Sequence, residues 1–433
     1  MVASQPSENR EELSHLLPIS KSLCFQIVST AVIVEGTLLI GLLLLDRFPV
    51  PSLEAAGNDI NKVVRTEYPG PLYTKLATDA KNIWSDPNGL LAGLYHPSGG
   101  IIGASDRSMP FIQASIQSAK VVGTETPTLV STEQVHQTWP MLNGDLPGWQ
   151  PYWSSGGAWV NAREGITRMA RKAMNSGVKY ISGDAGYVKQ LLFDADSTCI
   201  GVRCADGSTY YGKKIVVAAG AAAGSPLDLK GQIVAKGHTV GHIQLSPEEV
   251  KKYKDIPIID HLEGGILFPP QEDGIMKIGA IHFVTNYAKS YRGMSLPRYR
   301  SDNPGDGVPA EIEARLRRWM SEFVPELAQR EWIETRICWD GDMADYHFLI
   351  TPHPTHTNLS LAIGGSAHGF KFLPVLGQYI IEMMEGTLDP AIANKWKWRP
   401  GAKLSACEAN PHPEVPVDLS TLRGWEAPPK SLL

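Results

Sequence analysis

The segment Arg336 to Pro374 (RICWDGDMADYHFLITPHPTHTNLSLAIGGSAHGFKFLP) gathers residues that could do chemistry. Cys338 offers a lone thiol, an acidic turn follows it, and Lys371 offers a cation. Asn358 to Ile363 reads as a buried strand, Gly364-Gly365-Ser366 as a turn, and a helical pattern runs from Phe372 to Glu385. A strand, a glycine turn and a helix together present backbone N–H groups and a helix dipole to an anionic ligand. Glycine turns are common, so the GGSAHG loop alone carries little weight.

Further basic residues stand where chemistry could use them. Lys62 and Arg65 lie three apart, and a guanidinium fork suits a carboxylate. On the residues alone they read as well as a solvated pair at a strand edge, since exposed Lys and Arg are the default. Lys277 sits in a strand pattern, Gly274 to Gly279, and could equally be an exposed edge residue. His347, His353, His356 and His368 lack metal-site spacing: His353-Pro-Thr-His356 cannot put two ligands on one helix face, so no metal is expected.

The elements that must position these residues come next. At 433 residues the chain can bury a large core, and two domains are expected. A net charge of −5 gives no reason to expect nucleic acid. Five cysteines, an odd number without zinc spacing, point to reduced thiols and an intracellular protein, cytoplasmic or peroxisomal. The C-terminal Lys430-Ser431-Leu432-Leu433 is not the Ser-Lys-Leu peroxisomal address. Helical periodicity marks Tyr73 to Trp84, Met109 to Val121, Asn161 to Ser176 and Glu311 to Phe323, and Ser246 caps a short helix to Lys254. Leu91 to Ala104 reads as a pair of short strands around a Ser-Gly-Gly turn. Val188 to Phe193, Cys199 to Cys204 and Thr209 to Tyr211 read as a meander, and Lys214 to Ala221 as a buried parallel-type strand. Val234 to Leu245, Gly264 to Phe268 and Met276 to Phe283 are further strands; Trp139, Trp149, Trp153 and Trp159 are expected to pack in the core.

Taken together, Cys338-Trp339 and the run Gly364, Ser366, His368, Gly369, Phe370, Lys371, Phe372 resemble the flavin amine oxidases typified by monomeric sarcosine oxidase and the fructosyl amino-acid oxidases, or amadoriases. The resemblance covers roughly residues 42–400. It implies an α/β fold: a Rossmann-like FAD-binding domain of the D-amino-acid-oxidase type, with an α+β substrate domain built on an antiparallel sheet. The implied division is a disordered tail over 1–24, an FAD-binding domain of 25–84, 161–228 and 336–400, a substrate domain of 85–160 and 229–335, and a tail of 401–433.

The resemblance also implies an FAD-dependent oxidation of a secondary amine in an N-substituted or cyclic amino acid, by a monomer, with O₂ as acceptor and hydrogen peroxide as product. It assigns Cys338 as a covalent link to FAD. Asp46, Gly57, Asn58, Val188, Gly220, Gly365, Ser366, Ala367, Gly369 and Lys371 would contact the cofactor. Lys277 would promote the reaction with O₂, assisted by Lys62, and Arg65 and Lys371 would bind the substrate carboxylate. Four residues after Lys277 the amadoriases carry an acid that contacts sugar. This chain has Ile281, which cannot accept hydroxyl hydrogen bonds, so sarcosine, saccharopine or pipecolate types suit it better.

The N-terminal region departs from that family. The continuation Asp46-Arg47-Phe48-Pro49-Val50-Pro51-Ser52 is intact, but only Gly36 and Gly41 precede Asp46. The dinucleotide fingerprint needs about 20 residues between its glycine turn and the acid. A helix facing the FAD pyrophosphate is therefore missing or replaced. Phe25 to Leu45 also reads as a membrane span marred by Glu35. The alternative to an active enzyme is a non-catalytic relative that binds FAD poorly, held at a membrane through residues 25–45.

Overall fold

Six residues, 36–41, join the strand Ala31–Glu35 to the strand Leu42–Leu45. A parallel crossover needs roughly a dozen or more, whereas a hairpin needs only a few. The two strands accordingly pair antiparallel, with Val32 opposite Leu45 and Glu35 opposite Leu42. The computed structural model describes residues 31–35, 41–287, 293–403 and 415–426. The tail expected over 1–24, and Gly36 of the incomplete fingerprint, lie outside them.

The hairpin builds the centre of a six-stranded sheet. Its order is Leu349–Pro352, Leu359–Ile363, Lys214–Ala218, Ala31–Glu35, Leu42–Leu45, Lys179–Ile181. Lys214–Ala218 runs parallel to Leu359–Ile363, and Leu42–Leu45 runs parallel to Lys179–Ile181. Ala31–Glu35 runs against both of its neighbours. Leu359–Ile363, Lys214–Ala218, Leu42–Leu45 and Lys179–Ile181 thus share one direction, and the strand in their midst is reversed. Ala31 pairs with Ala218, so this strand starts at the edge where open α/β sheets bind ligands and ends at the opposite edge.

The apolar run Phe25 to Leu45 is therefore not a membrane span where it is described: it forms two adjacent strands, and Leu44 and Leu45 are buried. Among the described residues no helix is long and apolar enough to cross a membrane. Helices Pro71–Trp84, Ala162–Asn175 and Leu373–Glu385 pack on one face of this sheet through Trp84, Met169 and Ile380. The second starts where Asn161 accepts from Glu164 N at 3.1 Å. The meander Val188–Phe193, Cys199–Cys204, Thr209–Tyr211 packs on the other face.

A larger sheet carries the remaining chemistry. Ile233–Gln244 lies between Ile275–Ala280 and Trp332–Met343, antiparallel to both. The sheet continues through Gly265–Leu267, Ile258–His261, Gly100–Ala104 and Gln150–Ser154. It is mostly antiparallel as expected, with a parallel pairing of Ile258–His261 and Gly100–Ala104. Helix Ala310–Ser321 covers it through Leu316 and Trp319.

Three boundaries differ from the sequence reading. Trp332–Met343 pairs with Ile233–Ile243, so Arg336 to Met343 forms part of a strand of the large sheet and not of the six-stranded one. The two strands expected in Leu91 to Ala104 do not pair with each other. Tyr95–His96 joins a small sheet with Ala158–Val160 and Lys62–Val64, while Gly100–Ala104 joins the large one. Val417–Asp418 of the C-terminal tail adds a strand beside Val284–Thr285.

Trp84 ties the helix layer to the loop that ends in Lys371. Its fully buried indole N–H donates to the Lys371 carbonyl at 2.9 Å. Trp84→Phe keeps an aromatic ring but leaves that carbonyl without its donor. Chemical denaturation should show a loss of about 1–3 kcal/mol; an unchanged midpoint would mean that the bond carries nothing.

Candidate active site

Lys277 lies inward on a central strand of the large sheet, opposite His242. Cys338 lies two strands away, on the far side of Ile233–Gln244, opposite His238. Lys62 opens the short strand Lys62–Val64, which leads to Arg65. With Lys371 from the loop after Leu359–Ile363, these residues line one cavity of ≈330 Å³. On the residues alone Lys62, Arg65 and Lys277 could equally have been exposed at strand edges; all three line the cavity, and Lys277 is only 3% exposed.

A buried acid accounts for this. Asp59 is 0% exposed, and its Oδ2 lies 2.6 Å from Lys277 Nζ and 3.1 Å from Lys62 Nζ. Its Oδ1 lies 3.4 Å from Arg336 Nη2. Burial alone would raise the Asp59 pKa, but the three cations hold it well below the carboxylate range. Burial pushes Lys277 down to about 8; Asp59 opposes that shift, while Lys62 and Arg336 add to it. Lys277 also donates to the Asn61 carbonyl at 2.8 Å. Beside this cluster burial pushes the Cys338 thiol up, and Lys62 and Arg336 pull it back.

The opposite wall is the loop Gly364 to Phe372. Ser366 and Ala367 both adopt left-handed backbone (φ 49° and 60°), which side-chain-bearing residues hold only under constraint. Ser366 Oγ supplies the constraint, accepting from Met343 N at 3.1 Å and donating to the Gly364 carbonyl at 3.1 Å. His368 Nε2 faces the Tyr346 carbonyl at 2.8 Å and must donate to it, so Nδ1 accepts from Tyr68 Oη at 3.3 Å. Lys371 Nζ in turn donates to Tyr68 Oη at 2.8 Å. Burial, with Lys371 nearby, takes His368 down to about 3 and keeps the imidazole neutral. Burial and then Arg65 push Lys371 well below its ordinary value, against the pull of Asp260 and Glu67.

Arg65 completes this end. Its guanidinium lies over the rings of Tyr68 and Phe111, each 5.5 Å away, and its Nη1 donates to the Glu67 carbonyl. Its Nε is 3.5 Å from Asp260 Oδ2.

A second cavity of ≈170 Å³ shares Lys62, Asp340, Ala367 and Phe370 with the first. Its lining runs from Ala218 and Gly220 past Glu54, Ala56 and Gly57 to Gly365 and Gly369. A Cβ built on Gly365 would meet only the Gly369 Cα, at 3.9 Å, so bare backbone forms that wall. A narrow cleft with backbone walls that meets the cavity of Lys277, Lys371 and Cys338 at Lys62 fits the ring-bearing end of a flavin. The helix N-terminus that would face a pyrophosphate is not among the described residues, because the central strand is reversed.

Of the residues singled out from sequence, Lys62, Arg65, Lys277, Cys338, Ser366, Ala367 and Lys371 share the first cavity. Gly57, Gly220, Gly365 and Gly369 line the second. Asp46, Asn58 and Val188 line neither. Asp46 Oδ1 closes its own turn, accepting from Phe48 N and Ser52 Oγ at 2.8 and 2.9 Å. Asn58 bridges the Ser52 carbonyl and Arg163 Nε at 3.1 and 2.8 Å. Val188 begins a meander strand. Sequence reasoning missed Asp59, Tyr68 and Asp260. Asp59 had a signal, as an acid three residues before Lys62 in a segment otherwise read as contacting a ligand. Among the described residues no group of three or more His, Cys, Asp or Glu could hold a metal ion.

Comparison with known proteins bears on the family and the fold. The family described as FAD dependent oxidoreductase matches residues 36–383. L-saccharopine oxidase of Schizosaccharomyces pombe is 31% identical over 385 residues, 83% of this chain and 88% of that protein. A monomeric sarcosine oxidase of a Bacillus species is 22% identical over 348 residues, 79% of this chain and 85% of the relative. The fructosamine oxidase Amadoriase II of Aspergillus fumigatus, in complex with FSA, superposes with a TM-score of 0.78 at 33% identity, covering 88% of this chain and 90% of that one.

Asp59→Asn would leave Lys277, Lys62 and Arg336 without their shared counter-charge. The variant should lose about 3–5 kcal/mol in denaturant unfolding. In ¹⁵N-lysine spectra the Lys277 amine should titrate at lower pH than in the parent protein. A parent-like titration would mean that Asp59 does not hold the proton on Lys277.

Proposed function

The chain belongs to the FAD dependent oxidoreductase family, and on that premise we propose that it oxidises the C–N bond of a secondary amine in an N-substituted or cyclic amino acid. O₂ is the acceptor and hydrogen peroxide the product. The observation that carries this reading is one cavity with Lys277, Lys62 and Cys338 on its walls together with Arg65 and Lys371.

Bound FAD would supply the redox chemistry, taking a hydride from the carbon next to nitrogen and passing the electrons to O₂. The chain supplies position and charge. Arg65 and Lys371 bind the substrate carboxylate and aim the C–H bond. Lys277, held by Asp59 and the Asn61 carbonyl, keeps a positive charge where negative charge develops on oxygen, and Lys62 adds to that field. Cys338 Sγ is the point of covalent attachment. Gly57, Gly220, Gly365, Ser366, Ala367 and Gly369 flank the cofactor, Asp46 serves its ribose end, and Asn58 and Val188 support it. An amine bound in its neutral form needs no side-chain base.

Ile281 lines the cavity with its aliphatic side chain, which favours sarcosine, pipecolate or saccharopine types over a sugar-bearing amine. The chain works as a monomer in a reducing compartment, cytoplasmic or peroxisomal, in keeping with the free buried thiols Cys199, Cys204 and Cys338.

Purified holoprotein should release peroxide with at least one of L-saccharopine, L-pipecolate and sarcosine, and less with a fructosyl amino acid. Peroxide from none of them, or from the fructosyl compound alone, overturns the reading. Lys277→Met should slow reoxidation of reduced flavin about 100-fold or more while anaerobic reduction changes little. In the parent protein that reoxidation should weaken as pH rises through about 8, where Lys277 loses its proton. Flavin should stay with acid-precipitated parent protein and be extracted from Cys338→Ala.

A further inference from the structure

Asp260 is an acid on an apolar wall. On the strand Ile258–His261 alternate residues face opposite ways: Ile258 packs with Phe268 and Ile266, while Ile259 enters the core of the large sheet. Asp260 shares the Ile258 face and lines the cavity with Arg65 and Lys371. Its described partner is Arg65 Nε at 3.5 Å, which leaves most of the carboxylate's acceptor capacity unused.

Charge at this end already balances. In formal charge Arg65 and Lys371 are two cations and Asp260 and the buried Glu67 two acids, while burial pushes Lys371 down and Asp260 up, so each is drawn toward its neutral form until a partner of opposite charge meets it. Glu67 accepts from Ser154 through Oε1, and its Oε2 is buried without a hydrogen-bond partner among the described residues. A ligand that brings only a carboxylate to Arg65 adds a third negative charge beside Asp260, inside a cavity that screens poorly. A ligand that brings an ammonium together with its carboxylate adds no net charge and gives each buried group a partner. A neutral hydroxyl could donate to Asp260 but would leave the charge uncompensated.

We propose that Asp260 determines specificity by receiving an ammonium next to the substrate carboxylate, so that the preferred substrates are N-substituted diamino acids with a complete zwitterionic head. This rests on the reading of the chain as an amine oxidase. Here Arg65 and Lys371 hold the head's carboxylate, Asp260 its ammonium, and the oxidised secondary amine lies further along the chain. Substrates of the sarcosine or pipecolate type, whose one amine is the reacting amine, leave Asp260 unmatched.

The test uses purified holoprotein and three probes of one chain length: L-norleucine, L-2-hydroxyhexanoate and hexanoate. Calorimetry should find L-norleucine bound about tenfold or more tighter than either of the others. Asp260→Asn should erase most of that gap, and Asp260→Glu should keep part of it. Equal binding of L-norleucine and hexanoate, equal binding of L-norleucine and the hydroxy acid, or a gap that survives Asp260→Asn would each overturn the proposal. The catalytic arm compares N6-methyl-L-lysine with 6-(methylamino)hexanoate by anaerobic flavin reduction. Asp260→Asn should raise KM for the first about tenfold and lower it for the second, which no longer faces the Asp260 charge; an equal loss on both overturns the proposal. If neither compound, nor any other secondary amine, reduces the flavin while the probes follow the expected order, the oxidase reading fails and the ammonium site stands.

Discussion

One buried carboxylate holds this site together. Asp59 sits within 3.4 Å of cations from three separate stretches of chain: Lys62, Lys277 and Arg336. Each cation would be costly inside the protein alone. Together they share a counter-charge, and their strands stay in register around it. The small sheet and two strands of the large one, Ile275–Ala280 and Trp332–Met343 on either side of Ile233–Gln244, meet at that point. Cys338 takes its electrostatic surroundings from Lys62, Arg336, Asp340 and Asp59. The far end of the cavity repeats the device with Arg65, Lys371, Asp260 and Glu67.

What could be read in the sequence follows from how local the signals are. Asn161 to Ser176 and Ser246 to Lys254 announce themselves by period and cap, and both are found within a residue or so. The Cys338 and Gly364 to Phe372 motifs placed much of the cavity wall, because their spacing is short and specific. Asp59 and Asp260 were not legible as site residues. Asp59 meets Lys277 across 218 positions of sequence, and no local pattern reports such a pairing. Strand partners escaped for the same reason: Tyr95–His96 and Gly100–Ala104 look like one hairpin but enter different sheets.

The N-terminal region is the informative exception. Counting residues was enough to show that a glycine turn, a helix and a strand could not precede Asp46. It did not say what replaces them. The structure answers with geometry: a short link permits only a hairpin, so the central strand runs against its neighbours.

Reversal also changes how the sheet is assembled. A parallel central strand meets its neighbour only after an intervening helix has folded across the sheet. Ala31–Glu35 instead finds Leu42–Leu45 across residues 36–41, a loop whose closure costs little entropy. The pair is low in contact order and can zip on its own, ahead of the long-range step that brings Lys214–Ala218 alongside. In place of a crossover that would have to fold first, this sheet has a locally encoded seed.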